Sequence, residues 1–309
     1  MKRIVILNPK SKNGGAMKAF ERLRPEIEKD IGLFDLYLTT GPDDCTLKVR
    51  ETLKKKSYDQ ILIAGGDGSV NEAVNGYFEN EKSLSGSIPL GVINLGTGGD
   101  FYKSLRKRSH DYHVAIRDNR NRLIDCGVTT LEKGHDPRYF INITSIGLGG
   151  DVNRQMKASW FQKGMPAYFW HSLSSLFKYS PPKCLFKIKN PQGEWKEIQA
   201  GLVNFFVCNA EYNGGGMHWA PASDLEDGVF DLVLISDVSK LKLVTESHRV
   251  YSGDIGRMSG VQEFHGVEVH VIPERTVSQE IDGEVRSMDY LRTHEFFFRI
   301  LPKSIPVIL

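Results

Sequence analysis

The sequence predicts an α/β domain with a doubly wound parallel sheet, followed by a mainly antiparallel β domain. In the first third of the chain, short continuous apolar runs alternate with segments of helical periodicity. Strands buried on both faces of a parallel sheet have this continuous apolar character. After about residue 128 the strand-like runs become longer and are separated by hairpin turns. The 309 residues suit two domains, at roughly 150 residues for each.

The first domain is predicted from runs and spacings in chain order. The run Ile4–Leu7 predicts a first strand, and the helix after it has apolar residues three or four positions apart: Ala16, Phe20, Leu23, Ile27 and Ile31. The elements predicted next are a strand at 34–38, a helix carrying Leu47 and Leu53, a strand at 61–64, a helix at 70–77 and a strand at 90–93. We expect this domain to comprise residues 1–127 together with a last strand at 300–309.

The second domain is predicted to span residues 128–299. Its predicted strands are 139–145, 185–189, 203–208, 229–235 and 267–272, with a turn at 190–193. One helix is predicted at 166–179, and several aromatic residues are concentrated in this helix and shortly before it. They are Trp160, Phe161, Tyr168, Phe169, Trp170, Phe177 and Tyr179. A core-packed helix and an apolar lipid pocket both explain this composition.

Composition excludes several classes of protein. The net charge of +2 and the 25% of charged residues do not give the strongly basic domain typical of nucleic-acid binding, so we expect no nucleic-acid partner. The four cysteines lie far apart, without metal-ligand spacing, which argues against a zinc site or a disulfide framework. No apolar stretch approaches the ~18 residues of a membrane span. We therefore expect a cytoplasmic protein.

The strongest local motif is a glycine-rich loop placed between a predicted buried strand and a predicted helix. It reads Gly65-Gly66-Asp67-Gly68-Ser69 and continues to Asn71. Glycines let the main chain approach a ligand closely, and the N–H groups that open a helix attract phosphate. A turn that is glycine-rich only because it is tight is the alternative explanation.

A second glycine loop, Asn94 to Phe101, follows the next predicted strand and again precedes a helix. Two such loops at the carboxyl ends of successive strands lie where open α/β sheets bind ligands. The chain contains neither G-x-G-x-x-G nor G-x-x-x-x-G-K-S/T, so neither loop is a dinucleotide fingerprint or a P-loop. A G-x-S-x-G elbow is also absent, which argues against a hydrolase.

Five ordered motifs resemble those of the diacylglycerol kinase catalytic-domain family, which includes bacterial lipid kinases and sphingosine and ceramide kinases. They are Gly65 to Ser69, Leu95 to Phe101, Gly214 to Met217 leading to Pro221-Ala222, Asp227-Gly228, and Asp282-Gly283-Glu284, and the opening Asn8-Pro9-Lys10-Ser11 also matches. The resemblance covers nearly the whole chain. It implies an NAD kinase/diacylglycerol kinase-like α/β domain, a C-terminal β-sandwich, and an ATP-dependent lipid kinase activity.

The resemblance also implies a nucleotide site, with ATP and Mg²⁺ as cofactors. The residues expected to bind the nucleotide are Asn8, Thr39 (with Thr40 as the adjacent alternative), Gly65, Gly66, Asp67, Gly68, Ser69, Asn71, Gly96, Thr97 and Gly98. Asp67 and Asp100 are the carboxylates expected near the phosphates and the catalytic Mg²⁺, which prefers oxygen ligands.

The family's proton acceptor for the lipid hydroxyl is expected in the Asp282-Gly283-Glu284 motif. In phosphoryl transfer a carboxylate orients the attacking hydroxyl and takes its proton. Glu284 is our first choice for this base and Asp282 the second. Taken without the family, D-G-E is an ordinary turn between strands.

Some bacterial members of the family also carry a structural Mg²⁺ in the second domain. Transferred by motif, its ligands are the Asp227 carboxylate and the backbone carbonyls of Asp224 and Val229, and Asp125 contacts the ion through water. The alternative is that Asp227-Gly228 forms a simple hairpin turn.

One position departs from the family. The second loop usually reads G-T-G-N-D-F, and here Gly99 replaces the Asn, so an amide that could hold the loop or the nucleotide is lost. A non-catalytic nucleotide-binding or lipid-binding protein is therefore kept as an alternative. An NAD kinase is the other alternative, although Asp100-Phe101 argues against it.

The expected partners are a lipid substrate and, transiently, a membrane surface to which the protein is peripheral, while a homodimer is left open. A cluster of basic residues could face anionic lipid, each charge contributing about 1 kcal/mol near a negative surface. It comprises Lys103, Arg106, Lys107 and Arg108. The alternative is a solvated helix end.

Overall fold

A computed structural model describes residues 1–84, 86, 88–96, 98–109, 111–131, 135–150, 152, 174–285 and 295–309, with the backbone alone at 13, 135, 136, 284 and 285. The strands of the first lobe are β1 (Arg3–Leu7), β2 (Asp35–Leu38), β3 (Gln60–Gly65), β4 (Phe78–Glu79), β5 (Lys82–Ser83) and β6 (Leu90–Asn94). Its helices are α1 (Ala16–Ile31), α2 (Asp44–Lys55), α3 (Asp67–Gly76), α4 (Asp100–Arg108) and α5 (Tyr112–Asp118).

The parallel strands of the first lobe lie in the order β2-β1-β3-β6. The apolar runs of β1, β3 and β6 are buried, as expected for strands covered on both faces. In the edge strand β2 no residue is fully buried. Helix α1 buries Ala16, Phe20, Ile27 and Ile31, as its spacing predicts. In α2, the helix predicted to carry Leu47 and Leu53, Leu53 is buried together with Cys45 and Val49, whereas Leu47 is 60% exposed.

The second lobe is mainly antiparallel. Its strands are β7 (Asn121–Leu131), β8 (His135–Phe140), β9 (Ile143–Gly147), β10 (Lys183–Lys189), β11 (Trp195–Cys208), β12 (Tyr212–Asn213), β13 (Met217–His218), β14 (Phe230–Ser236), β15 (Val261–Gly266), β16 (Glu268–Pro273), β17 (Gln279–Ile281), β18 (Glu284–Val285) and β19 (Phe296–Ile308). The helices α6 (Lys240–Glu246) and α7 (Arg249–Ser252) lie between β14 and β15.

The sandwich depends on the long strand β11. Its first half pairs with β10, and its second half pairs with β9 and β14 after a register shift between Leu202 and Asn204. Side chains from the two resulting sheet faces meet in one core, where the rings of Phe140 and Phe230 stack with centroids 5.6 Å apart. The predicted fold class, a parallel α/β domain followed by an antiparallel β-sandwich, is confirmed.

Strand β19 connects the two lobes. Near its start it pairs with β16, it pairs with β7 along most of its length, and near its end Val307 pairs in parallel with Leu90 of β6. The boundary expected at residue 127 falls inside β7, so the division into 1–127 plus 300–309 and 128–299 stays a prediction.

The single strand predicted at 139–145 is wrong, because the structure divides it into β8 and β9. The N–H groups of Ile141, Asn142 and Ile143 donate to the Asp282 carboxylate instead of continuing the strand. Of the helix predicted at 166–179, residues 166–173 and most of the aromatic residues lie outside the described residues, and residues 174–178 are helical. Phe177 is described and is 61% exposed, so it does not pack in the core.

Candidate active site

The first glycine loop turns directly from β3 into α3. Gly66 caps the helix in an extended conformation, with φ −103° and ψ −172°, and its carbonyl accepts from the N–H groups of Ser69 and Val70. The N–H groups of the first helical turn have no partner within a helix and carry its partial positive charge. The loop therefore presents an anion-binding geometry at the carboxyl end of β3.

The two glycine loops touch each other through their main chains. The N–H groups of Leu95 and Gly96 donate to the Gly65 carbonyl at 3.0 and 3.1 Å. A Cβ built on Gly96 would lie 2.5 Å from the Cα of Gly66, so a larger residue at 96 would push the loops apart. Thr97, between Gly96 and Gly98, lies outside the described residues.

Asp67 and Asp100 lie side by side across these loops. Asp67 accepts from the N–H groups of Asp100 and Phe101 at 3.2 and 3.3 Å, and so caps α4. Burial, with the neighbouring charge of Asp100, raises the pKa of Asp67. Asp100 is 4% exposed and accepts from Lys103 Nζ at 2.8 Å and from the Gly215 N–H at 2.7 Å.

The first two strands contribute Asn8 and Thr39. Asn8 Nδ2 donates to Ser69 Oγ at 3.3 Å, which places it beside the first glycine loop. The N–H of Thr39 donates to the Leu7 carbonyl, and Thr39 is buried. The alternative Thr40 uses its hydroxyl to bind Asp44 at 2.9 Å.

The Asp282 turn reaches the same place from the second lobe. Asn71 Nδ2 donates to Asp282 Oδ2 at 2.9 Å and to the Tyr139 carbonyl at 3.0 Å. Asn71 lies on α3, four residues after Asp67, so the first glycine loop and the Asp282-Gly283-Glu284 turn lie next to each other. The backbone of Glu284 follows in β18, whereas its side chain lies outside the described residues.

Sequence reasoning missed two buried acidic residues of this region and assigned no role to Asn94, which it placed at the start of the second glycine loop. Glu280 is buried beside the turn and accepts from Asn213 Nδ2 at 2.8 Å and from the Gly283 N–H at 3.2 Å. Glu211 is buried and binds Lys107 and Arg108 of α4 at 2.8 and 3.0 Å. The Asn94 side chain accepts a hydrogen bond from the Gly96 N–H within the second glycine loop. Only long-range folding makes Glu280 and Glu211 significant, so no local pattern could reveal them.

Most of the basic cluster of α4 is paired with acidic side chains. Lys103 pairs with Asp100, and both Lys107 and Arg108 pair with Glu211. Three of the four cations expected to meet anionic lipid are therefore held in ion pairs, although Lys107 stays exposed. Across the described ranges, no helix is long and apolar enough to cross a membrane.

The candidate structural metal site lies on the loop before β14. Asp227 accepts from the N–H of Val229 at 2.9 Å, and Asp125 accepts from the N–H of Gly228 at 2.6 Å. Burial raises the pKa of Asp227, and the charge of Asp224 adds to the rise. In the described part of the chain, no three His, Cys, Asp or Glu side chains form a metal-binding group. A cation here would therefore need backbone carbonyls.

Comparison with known proteins decides the family. Residues 2–128 match the diacylglycerol kinase catalytic domain, and residues 142–309 match the YegS C-terminal NAD kinase beta sandwich-like domain. The chain belongs to the diacylglycerol kinase catalytic-domain family. This kinase is a phosphotransferase with an alcohol group as acceptor, as the sequence predicts.

Individual relatives agree with this assignment. The kinase is 26% identical over 315 residues to a diacylglycerol kinase of Bacillus subtilis, covering 98% of each chain. It is 24% identical to a probable YegS-like lipid kinase of Pectobacterium atrosepticum, covering 98% of this chain and 94% of the relative. A crystal structure of a diacylglycerol kinase from Bacillus anthracis superposes with a TM-score of 0.72 at 20% identity, covering 99% of this chain and 96% of that one.

Proposed function

We propose that the chain is an ATP-dependent lipid kinase that transfers the γ-phosphate to the hydroxyl of a lipid alcohol. The observation that carries this proposal is the hydrogen bond from Asn71 to Asp282. This bond joins the helix that follows the first glycine loop to the Asp282-Gly283-Glu284 turn. The names of the relatives, diacylglycerol kinase and lipid kinase, support a lipid acceptor. Diacylglycerol and sphingoid bases are the acceptor classes to examine first.

In this proposal the main chain of the two loops binds the phosphates, together with the first turn of α3. Asp67 and Asp100 would hold Mg²⁺, and they fit a cation because each carboxylate is largely buried close to the other's negative charge. Bound Mg²⁺ would neutralise charge on the transferring phosphate. Lys103, 2.8 Å from Asp100, adds a positive charge at the same place.

We assign the general base to Glu284. Asp282 already accepts four hydrogen bonds, from Asn71 and from the N–H groups of 141–143, so its role is to hold the turn. Glu284 takes the proton of the acceptor hydroxyl as the new oxygen–phosphorus bond forms. The bond from phosphorus to the ADP oxygen breaks in the same transfer.

We also propose that contact with the membrane is brief and peripheral. The net charge is only +2, and three cations of α4 are paired with acidic side chains of this chain. Electrostatic attraction to anionic lipid is therefore weak, because it grows with the number of unpaired cations near the surface.

In the test, the full chain is incubated with Mg-ATP and micelles of diacylglycerol, monoacylglycerol or a sphingoid base. A separate reaction contains NAD in place of the lipid. Mass spectrometry of the products should show a phosphorylated lipid and no NADP. NADP formation, or no transfer to any lipid by folded enzyme that binds nucleotide, would contradict the proposal.

Glu284→Gln should reduce kcat by about 10²-fold or more, the usual contribution of a general base. Its nucleotide affinity should equal that of the wild type, because Glu284 acts on the acceptor. Glu197→Gln is the matched control, since Glu197 pairs with Lys187 on the surface of the sandwich. Retained turnover in Glu284→Gln would exclude Glu284 as the base.

A further inference from the structure

Asn94 ends β6 and begins the second glycine loop. Its Oδ1 accepts from the N–H of Gly96 at 3.1 Å, two residues along the chain. An asparagine that bonds the backbone two residues on forms an Asx turn, which fixes the direction of the chain. The Asn94 carboxamide therefore determines how the loop leaves the sheet.

The same carboxamide fills the space beside Gly99. A Cβ built on Gly99 would overlap Asn94 Nδ2 and would lie 2.8 Å from Asn94 Cγ. Gly99 has φ +61° and caps α4. After glycine, asparagine is among the residues that best tolerate this backbone region. An asparagine at 99 is therefore excluded mainly by its overlap with the Asn94 side chain and not by the positive φ of the backbone.

We propose that Asn94 is a positioning residue that supplies, from the end of β6, the amide that orders the second glycine loop against the first. It does so in place of the side chain that Gly99 lacks. Gly96, which Asn94 holds, lies against Gly66 and donates to the Gly65 carbonyl. The proposed role in catalysis rests on the proposed nucleotide site, because the same loops carry Asp67 and Asp100.

A cycle of variants tests the exchange of positions: Asn94→Ala, Gly99→Asn and the double variant, each in the full chain. Asn94→Ala should raise the KM for ATP about tenfold, the value of roughly one hydrogen bond, and change kcat less than about threefold. Gly99→Asn should be impaired at least as much, because two carboxamides compete for one space. The double variant removes the overlap and restores an amide, so its KM should return to within about threefold of the wild type.

Asn190→Ala is the matched control, because Asn190 accepts from the Glu194 N–H in a distant hairpin turn and its loss should leave the KM for ATP unchanged. A double variant as impaired as the sum of the single variants would overturn the proposal. If Gly99→Asn does not fold, comparing Asn94→Ala with the double variant still shows whether an asparagine at 99 restores the KM for ATP.

A second measurement separates this inference from the proposed function. Hydrogen exchange of the Gly96 amide, measured without nucleotide, should be faster in Asn94→Ala and slower again in the double variant. This result does not require kinase activity. Absence of lipid phosphorylation by the wild type would contradict the proposed function alone, and unchanged Gly96 exchange in Asn94→Ala would contradict the role of Asn94 alone.

Discussion

Asp282 is a buried carboxylate that joins the two lobes. It is 3% exposed, and burial raises its pKa to about 7, although the hydrogen bonds from Asn71, Ile141 and Asn142 favour the charged form. Because the ordinary pKa is 3.8, the folded chain binds a proton that the unfolded chain has released between those pH values. The stability contributed by this group is therefore greatest below about pH 4 and is lost as the pH rises through 7.

The first prediction follows from this pKa. Asp282→Asn cannot ionise, so its free energy of unfolding should fall less between pH 5 and pH 8 than that of the wild type. It should also be less stable overall by about 1–3 kcal/mol, because an amide N–H then faces backbone donors. Urea unfolding at both pH values measures the two effects. Asp254→Asn, at an exposed aspartate, is the control, and parallel pH curves for Asp282→Asn and wild type would contradict the prediction.

Helix α4 connects the glycine loops to the second lobe through both of its ends. Its first turn is capped by Asp67, and its last turn carries Lys107 and Arg108, which bind the buried Glu211. Arg108 also donates to the carbonyls of Ser104 and Ser223. The position of Asp100 at the helix start therefore depends on an ion-pair network at the helix end.

Glu211→Gln should lower the free energy of unfolding by about 2–3 kcal/mol, somewhat below the usual cost of breaking a buried pair because Lys107 is partly exposed. Two cations then lose the charge of the buried carboxylate. Glu197→Gln removes an equivalent charge from an exposed cross-strand pair and should cost less than about 1 kcal/mol. Equal losses in the two variants, measured by urea unfolding at pH 7, would show that Glu211 contributes no more than a surface charge.

The sequence predicts those strands and helices whose position depends on residues close together in the chain. The strands and helices around Gly65 and Gly96 were correctly placed, because apolar periodicity and glycine loops are local signals. The division of 139–145 into two strands could not be predicted, since it depends on Asp282, about 140 residues later in the chain. The exposed face of Leu47 could not be predicted either. It is fixed by the packing of α2 on α3, where a Cβ at Gly76 would meet Val49 at 2.7 Å.

The whole molecule is held together where β7 and β19 run between the lobes. Asp125 of β7 accepts from the N–H of Lys303 at 2.7 Å and from that of Gly228 at 2.6 Å. The Asp125 N–H donates to the Leu225 carbonyl. One aspartate thus ties the loop before β14 to both connecting strands, and burial raises its pKa, with the charges of Asp227 and Asp224 adding to the rise.

A divalent cation in that loop would offset the repulsion among these carboxylates, and it would bind the folded chain alone. Binding to the folded state stabilises it by about 2.7 kcal/mol at one hundred times the Kd. Without nucleotide, Mg²⁺ should therefore raise the Tm of the wild type, by roughly 2–4 °C for each kcal/mol in a chain of this order of size. Differential scanning calorimetry over a Mg²⁺ titration measures the shift.

The matched variants Asp227→Asn and Asp67→Asn locate the ion in the molecule. Asp227→Asn removes the carboxylate proposed to bind Mg²⁺ in the second lobe and should abolish the Tm shift. Asp67→Asn alters the proposed nucleotide site, which lacks phosphate ligands in this experiment, and should keep the shift. A shift that survives in Asp227→Asn and disappears in Asp67→Asn would place the ion at the glycine loops. No shift in the wild type would contradict a structural Mg²⁺ in this chain, and Asp125 would then hold the loop before β14 through its hydrogen bonds, without an ion.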